Sequence, residues 1–218
     1  MEFGLSEDQV MLQETVRRFV AEEVSLDLVR QIAEGEDRVA ETLAANLAAL
    51  GLDGLLVPEK DGGSGLGVLD AALVQECFGY GIVPARFLSN SVAAYALRDF
   101  GSSILNDIAN NDARFGIALN DFLSRRDGCG LSIRDEAVSG ALLMAMDVAS
   151  STHLLFLAND TVRIGQVGSA EQVKTIDRTR EFSEVTITSF EKQITGAEIE
   201  KTFAVACILL AADTLGAA

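Results

Sequence analysis

Apolar positions recur at two different periods along this chain, and the change of period divides it. Leu12, Val16, Phe19 and Val20 stand at i, i+4, i+7 and i+8, which is one stripe of an amphipathic helix. Ser6 and Gln9 precede it at capping-box spacing, where each side chain can satisfy an amide that helix geometry leaves unpaired. Val39, Leu43, Leu47 and Leu50 predict a second helix, closed by Gly51 because glycine best tolerates the left-handed conformation after a helix end. Leu55, Leu56 and Val57 run into Pro58 and a glycine-rich loop over residues 61–67, after which Leu69, Leu73, Cys77 and Tyr80 restart a helical stripe. Further helices are expected over residues 89–100 and 102–110.

From Arg114 onward the pattern changes to short apolar runs over residues 115–119, 137–144, 153–158, 161–167 and 182–190, separated by turn residues such as Asp127-Gly128. Val185 and Ile187 alternate with Thr186 and Thr188, the mark of a strand with one buried face. Residues 196–218 return to helical spacing through Ile199, Phe203, Cys207 and Leu210. That last helix is apolar on more than one face and should be surrounded by other helices. Either more of a helical bundle or a second chain is expected to cover it.

Composition narrows the function classes. Seventeen Lys and Arg against thirty-three Asp and Glu leave a net charge of −16, so a nucleic-acid binder is not expected. Apolar residues at 49% and charged residues at 23% are globular values that allow a sizeable core. No run approaches the roughly 20 apolar residues of a membrane span, and no basic-then-apolar leader is visible, so cytoplasm is the default location. Cys77, Cys129 and Cys207 are scattered without C-x-x-C spacing, which predicts reduced thiols rather than disulfides or a zinc site. No metal site is expected.

The stretch from Leu47-Ala48-Ala49-Leu50-Gly51 through Val57-Pro58-Glu59, then Gly62-Gly63-Ser64-Gly65-Leu66-Gly67 and Gly79-Tyr80-Gly81, resembles the N-terminal helical domain of acyl-CoA dehydrogenases. Asp177-Arg178-Thr179-Arg180 is similar to a recurring Asp-x-Thr-Arg segment of the same family. The resemblance implies an α+β fold: an all-helical N-terminal domain over residues 1–112, a small antiparallel β middle domain over 113–193, and a truncated C-terminal helical bundle represented by its first helix over 194–218. It also implies a chemistry. A glutamate base removes an α proton from an acyl-CoA thioester while the β hydride passes to FAD, with an electron-transfer flavoprotein as acceptor and membership of fatty-acid β-oxidation.

The family's usual base lies in the bundle beyond this helix, so no catalytic residue is assigned. By the resemblance, the flavin contacts fall at Leu119, Asn120 and Asp121, where the family's glycines and Ser-Asp are missing, and at Met144, Ala145 and Met146, which bring no hydroxyl and no aromatic face. Methionines such as Met144 and Met146 are more often core or gap-filling residues than cofactor contacts. Tyr80, Phe87 and Leu88 are the acyl-pocket candidates, with core packing as the alternative for each. His153, the single histidine, reads as a strand-start packing residue. Arg125 and Arg126 read as solvated charge or as phosphate contacts, while Glu59 and Asp61 read as solvated loop acids. The expected function is a subunit of a flavin-dependent acyl-CoA dehydrogenase that relies on a homologous subunit, in a hetero- or homo-oligomer, for a complete FAD site and base. The alternative is a non-catalytic acyl-CoA-binding or scaffold subunit.

Overall fold

A computed structural model of the chain describes residues 4–99, 103–118, 132–134, 137–139, 141–149, 151–158, 161–194 and 198–218. Six helices come first: α1 (Glu7–Glu23), α2 (Leu26–Ala33), α3 (Asp37–Ala49), α4 (Val68–Tyr80), α5 (Phe87–Leu97) and α6 (Ser103–Ala109). The strands follow as β1 (Phe115–Ala118), β2 (Ser132–Arg134), β3 (Ala137–Ser139), β4 (Ala141–Met146), β5 (His153–Ala158), β6 (Thr161–Gln172) and β7 (Phe182–Ile194). Helix α7 (Glu198–Ala217) ends the described chain.

Local chemistry sets the helix entries. The Ser6 hydroxyl accepts from the Gln9 amide at 3.2 Å while Gln9 Oε1 accepts from the Ser6 amide at 3.1 Å, so the expected capping box forms. Gln9 also reaches across to α4, donating to Asp70 Oδ1 at 3.0 Å, and the other Asp70 oxygen accepts from the Gly67 amide that opens α4. Helix α2 breaks a segment for which apolar spacing gave no separate signal; Ser25 caps it by accepting from the Leu28 amide. In the glycine-rich loop, Gly63 lies so close to the Val57 and Gly54 carbonyls that a Cβ would overlap both.

Helix α5 is buried along nearly its whole length and forms the middle of the helical core. Ser89, Asn90 and Ser91 are therefore polar groups inside it. Asn90 resolves this by bonding in two directions, donating to Asp53 Oδ1 at 2.7 Å and accepting from the Phe115 amide at 2.8 Å. That second bond pins the first strand to the helices.

The strands close a barrel in the order β1-β4-β7-β6-β5, and β2 and β3 form a separate two-stranded sheet. The α+β class is as the sequence implied, but the barrel is not wholly antiparallel. β1 runs parallel to β5, with Phe115 opposite His153 and Ala118 opposite Phe156, and this pair closes the cylinder. A parallel neighbour needs a long crossover, here the whole of β2 to β4. Residues alternate as strand geometry requires. Phe115, Ile117, Leu155, Val162 and Ile164 join the helical core, whereas Ala118, Leu154, Phe156, Val185 and Ile187 fill the barrel.

Helix α7 packs back on α4 and α5 through Val205, Ala206 and Leu209. Ile208 and Leu215 on its other faces stay exposed. Gly79 of α4 and Gly216 of α7 let the two backbones touch: a Cβ on Gly79 would overlap the Asp213 carbonyl, and one on Gly216 would overlap the Glu76 carbonyl. Gly79→Ala should therefore push α4 and α7 apart at a cost of roughly 1–3 kcal/mol, which urea unfolding would register as a lower midpoint. An unchanged midpoint would show that this crossing does not limit stability.

Candidate active site

A cavity of about 420 Å³ opens where α4, α5 and α7 meet the barrel. One wall is apolar and comes from Leu88 of α5, Met144 and Met146 of β4, Phe182 of β7 and Leu210 of α7. The ladder between β4 and β7 slips between Leu142 and Ala145, and Met144 adopts a left-handed φ of 55° there. The slip turns Met144 toward solvent at 39% exposure, sends Ala145 into the barrel core, and presents Met146 to the cavity.

The other end of the cavity is polar, formed by Gln75, Asp147, Asp177, Arg180 and Asp213. The Asp-Arg-Thr-Arg segment is a side-chain-capped turn between β6 and β7. Asp177 Oδ1 accepts from the Thr179 amide at 2.8 Å and from the Thr179 hydroxyl at 2.6 Å. The turn aims Arg180 at the helices. Its Nη1 donates to the Val83 carbonyl at 2.5 Å and its Nη2 pairs with Asp213 Oδ1 at 2.7 Å. Gln75 Nε2 donates to that same Asp213 oxygen at 2.7 Å, while Gln75 Oε1 is buried without a partner among the described residues.

Asp147 follows β4 in a left-handed conformation with φ of 57°. The Ser89 hydroxyl of α5 donates to its carboxylate, and its own amide donates to the Glu181 carbonyl at 3.2 Å. Burial pushes its carboxyl up to about 6, the Ser89 hydrogen bond pulls it down, the Glu181 charge raises it, and Arg86 and Arg180 lower it. Nearby, burial likewise raises Asp53 against the opposing pull of Asn90 and Arg86. Chemically, Asp147 is a carboxyl able to exchange a proton near neutrality beside an apolar wall.

The cavity brings together Leu88, Met144 and Met146 from the sequence-derived candidates. Ala145 lies in the barrel core, and Phe87 lies in the helical core, edge-on to Phe78 with ring centroids 5.5 Å apart. Tyr80 is 79% exposed and lines a different groove, of about 860 Å³, between α1, α4 and α7. Leu119, Asn120 and Asp121 lie outside the described residues, as do Arg125 and Arg126. His153 stacks on Phe115 at 5.2 Å, as a packing residue would. No metal-binding cluster occurs among the described residues. Sequence reasoning passed over Gln75, Asp147 and Asp213. Two of these carried a signal: Gln75 and Asp213 are polar residues that directly follow apolar runs, 71–74 and 203–212, in their helices.

Residues 6–107 match the family model described as acyl-CoA dehydrogenase, N-terminal domain. The chain is similar to members of the acyl-CoA dehydrogenase family. It is similar to acyl-CoA dehydrogenase IpdE2 of Mycobacterium tuberculosis, 28% identical over 216 residues that cover 97% of this chain and 60% of that protein. It is also similar to IpdE2 of Mycolicibacterium smegmatis, 35% identical over 98 residues, or 44% of this chain and 32% of that one. Among solved structures it resembles the Tcur3481-Tcur3483 steroid ACAD, with a TM-score of 0.83 and 25% identity, covering 96% of this chain and 63% of that chain. An acyl-CoA dehydrogenase from Bacillus anthracis, complexed with FAD, shares the fold at a TM-score of 0.75 and 16% identity over 97% of this chain and 42% of that one. The chain thus spans less than two thirds of the length of these relatives.

The raised Asp147 carboxyl fixes a sign for the dependence of stability on pH. The folded protein holds that proton more tightly than the unfolded chain, so the contribution to stability is full below about pH 4 and is lost as pH rises through about 6. Asp147→Asn keeps an oxygen for Ser89, tolerates the left-handed backbone and removes the buried charge. The variant should gain on the parent between pH 4 and 6.5 and hold a lead of roughly 1–3 kcal/mol above that. Chemical denaturation across that pH range measures it; a gap independent of pH would show that the carboxyl titrates normally.

Proposed function

We propose that this chain is a subunit of a flavin-dependent acyl-CoA dehydrogenase that relies on a homologous partner subunit. Its helical N-terminal domain spans residues 1–112, its β domain 113–193 and the first helix of a C-terminal helical domain 194–218. The reaction is α,β-dehydrogenation of an acyl-CoA thioester. FAD, when bound, supplies the hydride acceptor for that chemistry. An electron-transfer flavoprotein would then take up the electrons, in the cytoplasm. No helix of the described residues is long and apolar enough to cross a membrane.

The observation that carries this reading is the cavity itself, an apolar slot at the junction of helices and barrel in a chain whose residues 6–107 match the N-terminal domain of that family. Leu88, Met146, Phe182 and Leu210 offer acyl carbons a dry wall and exclude water from the reacting end. The same residues fit one flat face of a flavin ring. They do not fit its polar groups: the segment Met144 to Met146 has no side-chain donor, and the lining carries Asp147, Asp177 and Asp213 against Arg180, a poor match for a diphosphate. We therefore assign the remaining cofactor contacts and the catalytic base to the partner subunit.

The test is to purify the chain alone and after co-expression with a second acyl-CoA dehydrogenase subunit from the same source, and to record flavin absorbance before and after adding acyl-CoA without oxygen. Yellow protein only after co-expression, bleached by acyl-CoA, is the expected result. Yellow protein from the chain alone would remove the need for a partner. Colourless protein in both preparations, still binding acyl-CoA, would leave the scaffold role.

A further inference from the structure

A hydrogen bond runs beside the apolar wall of the cavity. Ser89 of α5 donates its hydroxyl to the Asp147 carboxylate at the end of β4, and the residues just before them, Leu88 and Met146, line the cavity. Asp147 lines it too and is only part-buried. An acyl chain laid on Leu88 and Met146 therefore lies beside this carboxyl. The backbone that carries it is held in place: the Asp147 amide donates to the Glu181 carbonyl at 3.2 Å, the Ser151 hydroxyl donates to the Asp147 carbonyl, and the Ala149 amide donates to Glu181 Oε1 at 2.6 Å.

Charged groups face Asp147 from the neighbouring elements. Arg86 stands at the entry to α5, with Asp53 and Arg114 acting on it in turn; Arg180 and Glu181 lead into β7, Asp177 lies in the turn before them, and Asp213 comes from α7, paired with Arg180. Burial opposes the Asp147 charge most, the Ser89 bond favours it, Glu181 opposes it, and Arg86 and Arg180 favour it, so the carboxyl titrates near neutrality. A neutral guest tips that balance. Hydrocarbon laid over the open side of Asp147 strips hydration from the carboxylate, whereas the protonated carboxyl has little to lose.

We propose that the Ser89–Asp147 pair couples this cavity to protons: an acyl group enters together with a proton that the Asp147 carboxylate takes from solvent, and leaves as that proton is given back. The inference rests on the acyl-CoA reading of the cavity given above. Linkage makes the effect reciprocal, since a guest that favours the protonated carboxyl is itself favoured by the proton. Affinity is therefore full below the pH at which free Asp147 titrates, about 6, and falls as pH rises through that value until the carboxyl of the bound state also ionises.

S-hexanoylpantetheine presents the acyl thioester without phosphates, so the probe itself does not titrate in the range of interest. Titrated by calorimetry into the full chain, together with its partner subunit where the two co-purify, it should bind about tenfold more weakly at about pH 8 than at about pH 5. At about pH 6.5, buffers of different ionisation enthalpy should report the uptake of about half a proton per guest. Asp147→Asn should bind equally well at both extremes and take up no proton. Ser89→Ala removes a bond that favours the carboxylate, so the fall in affinity should move to higher pH.

Binding independent of pH in the parent, or proton uptake that persists in Asp147→Asn, would overturn the inference while leaving the acyl-CoA reading intact. If Asp147→Asn does not melt cooperatively, the proton uptake of the parent and the displaced profile of Ser89→Ala decide. Absence of binding even at the acid end of the range would overturn both the inference and the reading beneath it.

Discussion

Asp213 Oδ1 is the atom on which the junction of this molecule turns. It takes a guanidinium proton from Arg180 in the β6–β7 loop and an amide proton from Gln75 on α4, while riding on α7 itself. The second arm of Arg180 reaches the carbonyl of Val83, so helices, barrel and final helix are held through one carboxylate. Such an arrangement stands only if both charges keep their hydrogen bonds, since removing one partner strands the other in a poorly solvated place. The glycine contact belongs to the same device. Gln75 and Gly79 lie one turn apart on one face of α4, so the close approach that Gly79 permits against the Asp213 backbone also brings the Asp213 side chain within reach of Gln75.

The neighbouring seam uses polar groups in a different way. Helix α5 is apolar and buried, yet Ser89 and Asn90 sit near its start and face the barrel and the turn at Asp53. Asn90 has a partner at each end of its amide, Asp53 and the Phe115 amide. Ser89 instead donates to Asp147, whose charge is opposed by burial and by Glu181. Ser89 thus binds a group that titrates close to neutrality, and Asn90 joins Asp53, whose carboxyl burial also raises, to the backbone of β1. The cavity wall is thus electrostatically adjustable at Asp147, at the end of β4.

Local signals carried most of the fold. The capping box at Ser6 and Gln9, the Gly51 helix end with φ of 68° and the alternation around Val185 are set by nearest neighbours in sequence, and all three form as the pattern implied. The parallel pairing of β1 with β5 was not legible, because register between strands distant in sequence depends on the whole barrel and on Phe115 being drawn to Asn90. The site was legible only in part. Met146 and Leu88 reach the cavity, but Tyr80 and Phe87, equally suitable by residue type, face another groove and the core, since their positions on the helix turn them away. Gln75 and Asp213 lie 138 residues apart, and nothing in either local sequence announces that they share a hydrogen bond.

Charge sets the remaining constraint on how such a chain can handle a CoA thioester. With a net charge of −16 and an acidic cavity lining, its field opposes a ligand whose nucleotide end carries several phosphates. The acyl end is different: it is neutral, and the apolar wall gains by covering it. One surface therefore favours half of the ligand and disfavours the other half. In the proposed assembly this is resolved if the acyl group enters the junction cavity while the phosphates meet cationic side chains of the partner subunit, beyond the roughly 8–10 Å over which this chain's charge is felt at physiological salt. Within the proposed assembly, that division of the ligand would parallel the proposed division of the flavin, whose flat face suits Met146 and Phe182 and whose phosphates do not suit the acids beside them.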